Sequence, residues 1–184
     1  LISPKYNMGL GTMYLRKEAY QAYLLMREAA LVDGITLNIA SATRNFNYQK
    51  ELWEKKWNGI TLVEGKKLPD STPDGLTRFN KILEYSAAPG ISRHHWGTDI
   101  DINGADVRYF NTEKGIKEYN WLAENASLFG FCQTYKEKGG VRVSGYNEEK
   151  WHWSYMPLAK EFTSEYKKII SESSIIGFAG DEYV

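Results

Sequence analysis

The sequence predicts an α+β fold, a small and largely antiparallel sheet flanked by helices. Helix-like and strand-like patterns are mixed along the chain without a regular strand–helix–strand repeat. Several strand candidates adjoin short connections, as antiparallel pairing allows. The 184 residues are 42% apolar, with no internal repeat or low-complexity linker. One domain spanning 1–184 can therefore bury a core without covalent staples.

Each element has its own signal. "YLRKEAYQAYLLMREAALVDG" (14–34) carries apolar residues at helical spacing and stops at Gly34. "ITLNIAS" (35–41) alternates, is β-branched and reads as a strand. "NYQKELWEKKWNG" (47–59) is a second helix closed by glycine, and residues 60–75, rich in Gly, Pro, Asp and Lys, read as a surface loop. "LTRFNKILEYSAA" (76–88) is a third helix, stopped by Pro89-Gly90. "GTDIDI" (97–102) alternates as a strand, and "TEKGIKEYNWLAENASLFG" (112–130) is a helix ending at Gly130. "FCQTY" (131–135) and "VRVSG" (141–145) are expected to pair as a hairpin across "KEKGG". "WHWSY" (151–155) is a short aromatic strand, and "PLAKEFTSEYKKII" (157–170) opens a helix with proline.

Composition excludes several function classes. Lys plus Arg equals Asp plus Glu at 23 each, so nothing electrostatic favours nucleic acid or an anionic membrane as partner. No apolar run approaches the ~20 residues needed to span a bilayer. The single cysteine, Cys132, cannot form an internal disulfide, and its apolar neighbours predict a buried core thiol. The start, "LISPKYNMGL", lacks both an initiator Met and the regions of a signal peptide, so the chain reads as mature or trimmed.

The chemistry concentrates in two short segments. All three histidines lie in "ISRHHWGTDIDING" (91–104) and "EEKWHWSY" (148–155), each with carboxylates nearby. An isolated histidine is ordinarily a packing or surface group. Two imidazoles and a carboxylate, however, form a catalytic zinc set with one position left for water. The metal lowers the pKa of that water to about 7. There is no HExxH, so the common helical zinc-peptidase arrangement is absent.

Ser92-x-His94-x-x-Gly97-x-x-x-Asp101, followed by Glu149-x-Trp151-His152, resembles the two signatures of the VanY-type D-alanyl-D-alanine carboxypeptidases. These are zinc metallopeptidases of the LAS group, which cut bacterial cell-wall peptides. "SATRNFNYQ" (41–49) resembles a third family stretch, in which an Arg and a Gln five residues on help hold the substrate. The likeness spans about residues 36–157, the expected catalytic core. It implies the LAS/hedgehog-like zinc peptidase fold and one Zn2+ per chain, held by His94, Asp101 and His152. It implies Glu149 as general base, and Arg44 and Ser92 on the terminal carboxylate of the peptide with Gln49 close by. The implied substrate is a peptidoglycan stem peptide ending in D-Ala, met as a monomer in the periplasm or cell envelope.

Local geometry adds expectations. Asp99 and Asp101 share a strand face, and the family pattern selects Asp101 as ligand. Asp99 departs from the small residue usual there and is expected in a supporting hydrogen bond or a surface contact. His94 and His95 point apart if locally extended, so one ion takes His94 alone. Glu149 and His152 are three apart, so a bend or bulge within 149–152 must bring them to one side. Trp96, Trp151, Trp153 and Tyr155 are expected to pack. Many relatives have an Arg where Ser154 stands, which leaves a supporting contact to be supplied otherwise. The Lys66-Lys67 pair is expected to be solvated.

Two alternatives stay open at this stage. The same machinery suits an L,D-carboxypeptidase or an endopeptidase on peptidoglycan peptides. A zinc-stabilised binding domain without turnover has a precedent in the hedgehog signalling domain, although Glu149 argues against it.

Overall fold

The computed structural model describes residues 1–9, 11–140 and 142–184. Its centre is a four-stranded antiparallel sheet of order β1-β2-β4-β3. The strands are β1 (Ile39–Ser41), β2 (Asp99–Ile102), β3 (Phe131–Gln133) and β4 (His152–Tyr155). β2 and β4 are the inner pair and are buried on both faces, apart from half-buried Tyr155 at the end of β4.

Among the described residues six α-helices accompany the sheet: α1 (Lys17–Val32), α2 (Phe46–Trp57), α3 (Leu68–Ser71), α4 (Gly75–Leu83), α5 (Glu113–Asn125) and α6 (Met156–Ile169). α1 turns Ala19, Tyr23, Met26 and Ala30 inward, steps of three and four that make one helical stripe. Three helices begin where the sequence supplies a side-chain cap. Asn45, Asp74 and Thr112 accept from the backbone N–H of Tyr48, Thr77 and Gly115 at the starts of α2, α4 and α5.

Two apolar clusters result. One unites α1, the four strands and α5 through Tyr23, Met26, Ile39, Ile100, Ile102, Leu122, Phe131 and Trp153. The other joins α2, α3 and α4 to the C-terminal tail through Trp53, Leu68, Phe79, Ile82, Ile175 and Phe178. Trp53 Nε1 donates to the Ala179 carbonyl at 2.8 Å, which pins that tail.

The α+β architecture with an antiparallel sheet agrees with the sequence reading, and several details do not. The strand expected over 35–41 forms only at Ile39–Ser41. The 60–75 loop contains the short α3, while Lys66 and Lys67 are exposed as expected. The 131–135/141–145 hairpin is absent among the described residues. Val141 lies outside them, Arg142–Gly145 forms no strand, and β3 pairs with β4 instead. Cys132 is exposed rather than buried, because β3 turns Phe131 and Gln133 inward and the residue between them outward.

Candidate metal centre

Strand register assembles the polar face. Asp99 and Asp101 stand two apart on β2, opposite Ser154 and His152 of β4, and all four are buried. The other imidazole arrives on a 3₁₀ turn, Arg93–Trp96, that ends at Gly97 in the left-handed region. The turn is tied from two directions. Arg16 donates its backbone N–H to the Gly97 carbonyl (2.9 Å) and its Nε–H to the Trp96 carbonyl (2.7 Å). The Arg44 N–H donates to the His94 carbonyl (3.2 Å).

His94, Asp101 and His152 thereby each present one ligand atom, all within 4.8 Å of one another. His94 Nε2 and His152 Nδ1 each lie 3.4 Å from Asp101 Oδ1. Ligands held at about 2.0–2.1 Å around a tetrahedral zinc sit roughly 3.3–3.4 Å apart, so the spacing suits a chelating set. His94 Nε2 and Asp101 Oδ1 are buried with no hydrogen-bond partner among the described residues. Buried polar atoms are costly unless satisfied, and a divalent ion satisfies both. The donor set fits such an ion.

Each imidazole is oriented by its other nitrogen. His94 Nδ1–H donates to the Ala42 carbonyl (2.8 Å), leaving the Nε2 lone pair free. His152 Nε2–H donates to Asp99 Oδ2 (2.8 Å), leaving Nδ1 facing Asp101. His95 sits on the same turn, yet both its nitrogens are engaged. Nδ1–H donates to the Arg44 carbonyl (2.6 Å), and Nε2 accepts from the Gly90 N–H (3.1 Å). The segment is a 3₁₀ turn, not extended, but His94 alone still reaches the centre.

Electrostatics separate the groups. Burial, then the Arg44 charge, lower the pKa of His94 and keep it neutral. Burial also disfavours the charged form of His152, but the carboxylates of Asp101, Asp99 and Glu149 beside it outweigh that and raise its pKa well above 6.5. Asp101 stays far below the usual carboxylate range. Burial opposes its ionisation, and His94, His152 and Arg44 more than offset that.

Glu149 lies just before β4, in a turn where the His152 N–H meets the Glu149 carbonyl at 3.4 Å. The bend expected within 149–152 is this turn. It brings Glu149 Oε2 to 3.4 Å from His152 Nδ1. Burial raises the Glu149 pKa, against the pull of His152.

On the α2 side, Arg44 Nη1 donates to Gln49 Oε1 (3.0 Å) and Nη2 to Asp101 Oδ2 (3.3 Å). Gln49 is held in turn by the Ala87 carbonyl (2.7 Å). Arg44 Nε is buried with no partner among the described residues, so donor capacity remains for an incoming group. Ser92 is buried at the head of the 93–96 turn, and its hydroxyl makes no capping bond there.

Three neighbours carried no sequence signal. Lys56 of α2 hydrogen-bonds to Ser86, and burial, then repulsion from Arg44, draw its pKa down to about 8. Nothing in a charged helical run distinguishes it. The Tyr135 ring lies tilted at 4.8 Å from the His152 ring and edge-to-face at 4.9 Å from Tyr146, walling the His152 side. Trp96, Trp151 and Trp153 pack, as expected: Trp96 against Tyr166 and Phe162, Trp151 against Phe110, and Trp153 in the sheet core.

Residues 12–158 match the family model described as VanY, D-alanyl-D-alanine carboxypeptidase. The chain belongs to the VanY family. A D-alanyl-D-alanine carboxypeptidase of Enterococcus faecalis is 28% identical over 136 residues, covering 71% of this chain and 44% of that protein. The chain thus spans less than half the length of the curated relatives it first matches, at 44% and 46%. A solved D,D-pentapeptidase VanY variant in complex with Zn(II) shares the fold, with TM-score 0.61, 22% identity and coverage of 99% of this chain and 92% of that one. An L,D-carboxypeptidase, DacB of Streptococcus pneumoniae, is 26% identical with TM-score 0.54, covering 100% of this chain and 85% of that one.

Proposed function

We propose that this chain is a zinc-dependent carboxypeptidase that hydrolyses the C-terminal D-Ala from peptidoglycan stem peptides. One observation carries the reading: two oriented imidazoles and a carboxylate converge in a buried trio, with Glu149 Oε2 3.4 Å from one of its members. Membership in the VanY family and the Zn(II) of the solved VanY relative support zinc as the ion.

His94 Nε2, Asp101 Oδ1 and His152 Nδ1 hold the metal. When bound, zinc supplies Lewis-acid chemistry, polarising the scissile carbonyl and acidifying the attacking water. Glu149 takes that water's proton on its carboxylate and returns a proton to the departing amine. Its burial raises its proton affinity toward the range a general base needs. Arg44 grips the terminal carboxylate of the peptide, with the Ser92 hydroxyl as second donor, and Gln49 fixes the guanidinium from behind.

Every residue in this scheme comes from one copy and one domain, so a monomer suffices. Peptidoglycan lies outside the cytoplasmic membrane, which places the work in the periplasm or cell envelope. Among the described residues no helix is long and apolar enough to cross a membrane.

The test is to incubate the purified chain with muropeptides ending in D-Ala-D-Ala, with zinc and with a chelator, and to weigh the products. Loss of one alanine, stopped by the chelator, is expected. Unchanged masses, or full activity after metal stripping, overturn the reading.

The likeness to an L,D-carboxypeptidase favours a second reading, in which tetrapeptide stems are cut by the same machinery. Offering tetra- and pentapeptide stems side by side separates the two. An endopeptidase is separated by Arg44→Ala, assayed on free-carboxylate and amidated peptides. Exopeptidase cleavage is expected to fall by at least about tenfold, since a charge-assisted contact contributes roughly 1.5–3 kcal/mol. Retained cleavage of both peptides points to the endopeptidase.

A further inference from the structure

Asp99 neither holds the ion nor touches the substrate in the scheme above, yet it is fully buried. Its four contacts use both oxygens. Oδ2 accepts from His152 Nε2 (2.8 Å) and Arg93 Nε (2.9 Å). Oδ1 accepts from the hydroxyls of Thr98 (2.7 Å) and Ser154 (2.8 Å). Arg93 is itself immobilised. It donates to Ser154 Oγ (2.7 Å) and to Thr163 Oγ1 on α6 (3.1 Å), and lies 4.7 Å over the Trp96 ring.

A buried carboxylate is tolerated where its charge is paired and its lone pairs are hydrogen-bonded. Asp99 meets this with four partners, and one of them is the far nitrogen of a metal-ligand candidate. A carboxylate on that nitrogen fixes the tautomer and ring plane and strengthens the near nitrogen as a donor. Without Asp99, His152 could turn or carry its proton on Nδ1, the atom that must be bare.

We propose that Asp99, clamped by Arg93, Ser154 and Thr98, is the positioning residue that fixes His152 as an Nδ1 ligand and sets how tightly the centre holds zinc. The inference rests on the reading of His152 as a ligand. It also accounts for Ser154: a serine is short enough to let Arg93 reach across from the neighbouring turn and supply a guanidinium beside it.

The experiment measures zinc affinity of the full chain by competition with a chromophoric chelator, with far-ultraviolet circular dichroism of the metal-free protein as the fold control. Asp99→Ala is expected to bind zinc about 10- to 100-fold more weakly while keeping its fold. Asp99→Asn is expected to recover most of that loss. The Arg93 Nε–H favours an amide oxygen, not an amide NH2, at the position beside it, so the asparagine still accepts from His152. Imidazole nitrogen NMR of the zinc-loaded parent should show His152 bound through Nδ1 and protonated at Nε2. Parent-like affinity in folded Asp99→Ala, or His152 bound through Nε2, overturns the proposal. If Asp99→Ala does not fold, Arg93→Gln decides, with several-fold weaker binding expected and unchanged binding overturning it. His94→Ala and His152→Ala serve as references. If they too bind zinc normally, the ligand reading fails. If they lose zinc while Asp99→Ala keeps it, only the positioning role fails.

Discussion

Glu149 is buried beside the candidate ligand set, and under the proposed function it is the proton acceptor. Glu149→Gln keeps the shape and removes the basicity. Alanine release is expected to fall by about 10²–10⁴-fold, the usual worth of general acid–base catalysis, with zinc content unchanged. Single-turnover rates and metal analysis on the same preparation check it, and a variant that turns over normally removes Glu149 from the mechanism. At this scale the sequence was most informative. The resemblance to the family's motifs brought His94, Asp101, His152, Glu149, Arg44 and Gln49 forward, and the structure links them by contacts of 3.0–3.4 Å. The work of His95 was hidden, because its bond to the Arg44 carbonyl spans 51 residues of chain and has no local pattern.

The 3₁₀ turn that carries His94 depends on Gly97. With φ at 71°, that position lies where an L side chain is strained, and a Cβ there meets Thr43 Oγ1 at 3.2 Å and Arg16 Cγ at 3.3 Å. Gly97→Ala is expected to cost about 1–2 kcal/mol for the left-handed backbone. That corresponds to roughly 2–8 °C in Tm for a chain of this size, with weaker zinc binding because His94 shifts. Thermal melts with and without zinc check both effects, and an unchanged Tm contradicts the strain. Elements with local signals were legible in the sequence: the helical spacing of α1 with its stop at Gly34, and the alternation of β2. Strand pairing was less so. "KEKGG" reads as a hairpin turn, but Gly139 and Arg142 only bridge each other, and β3 lies against β4, which buries Phe131 and Gln133. Register follows burial across the whole sheet, and no window of a few residues contains that information.

Across the molecule, the site joins two packing units, the sheet cluster holding the imidazoles and the α2–α4 cluster behind Arg44 and Gln49. The second depends on Ile175 and Phe178 from a tail that carries no periodic pattern and was invisible before folding. An ion bound to His94, Asp101 and His152 ties segments 94–101 and 152 together, so zinc must stabilise the folded state. At a thousandfold excess over Kd the gain is about 4 kcal/mol, or roughly 8–16 °C in Tm. Its pH dependence has a definite sign. Without metal, His152 carries a proton to well above 6.5, held by Asp101, Asp99 and Glu149 against its burial. A raised folded-state pKa contributes stability that is fully present below the ordinary value and is lost as pH rises through the raised one. Zinc must displace that same proton, so its affinity climbs over the same interval, whereas neutral His94 adds no such term. The Tm difference between zinc-loaded and chelated protein should therefore widen steadily from about pH 6 toward pH 8, within the range where histidines titrate. A difference that is flat or narrows with rising pH means that the protonated imidazole at 152 is not the group the metal replaces.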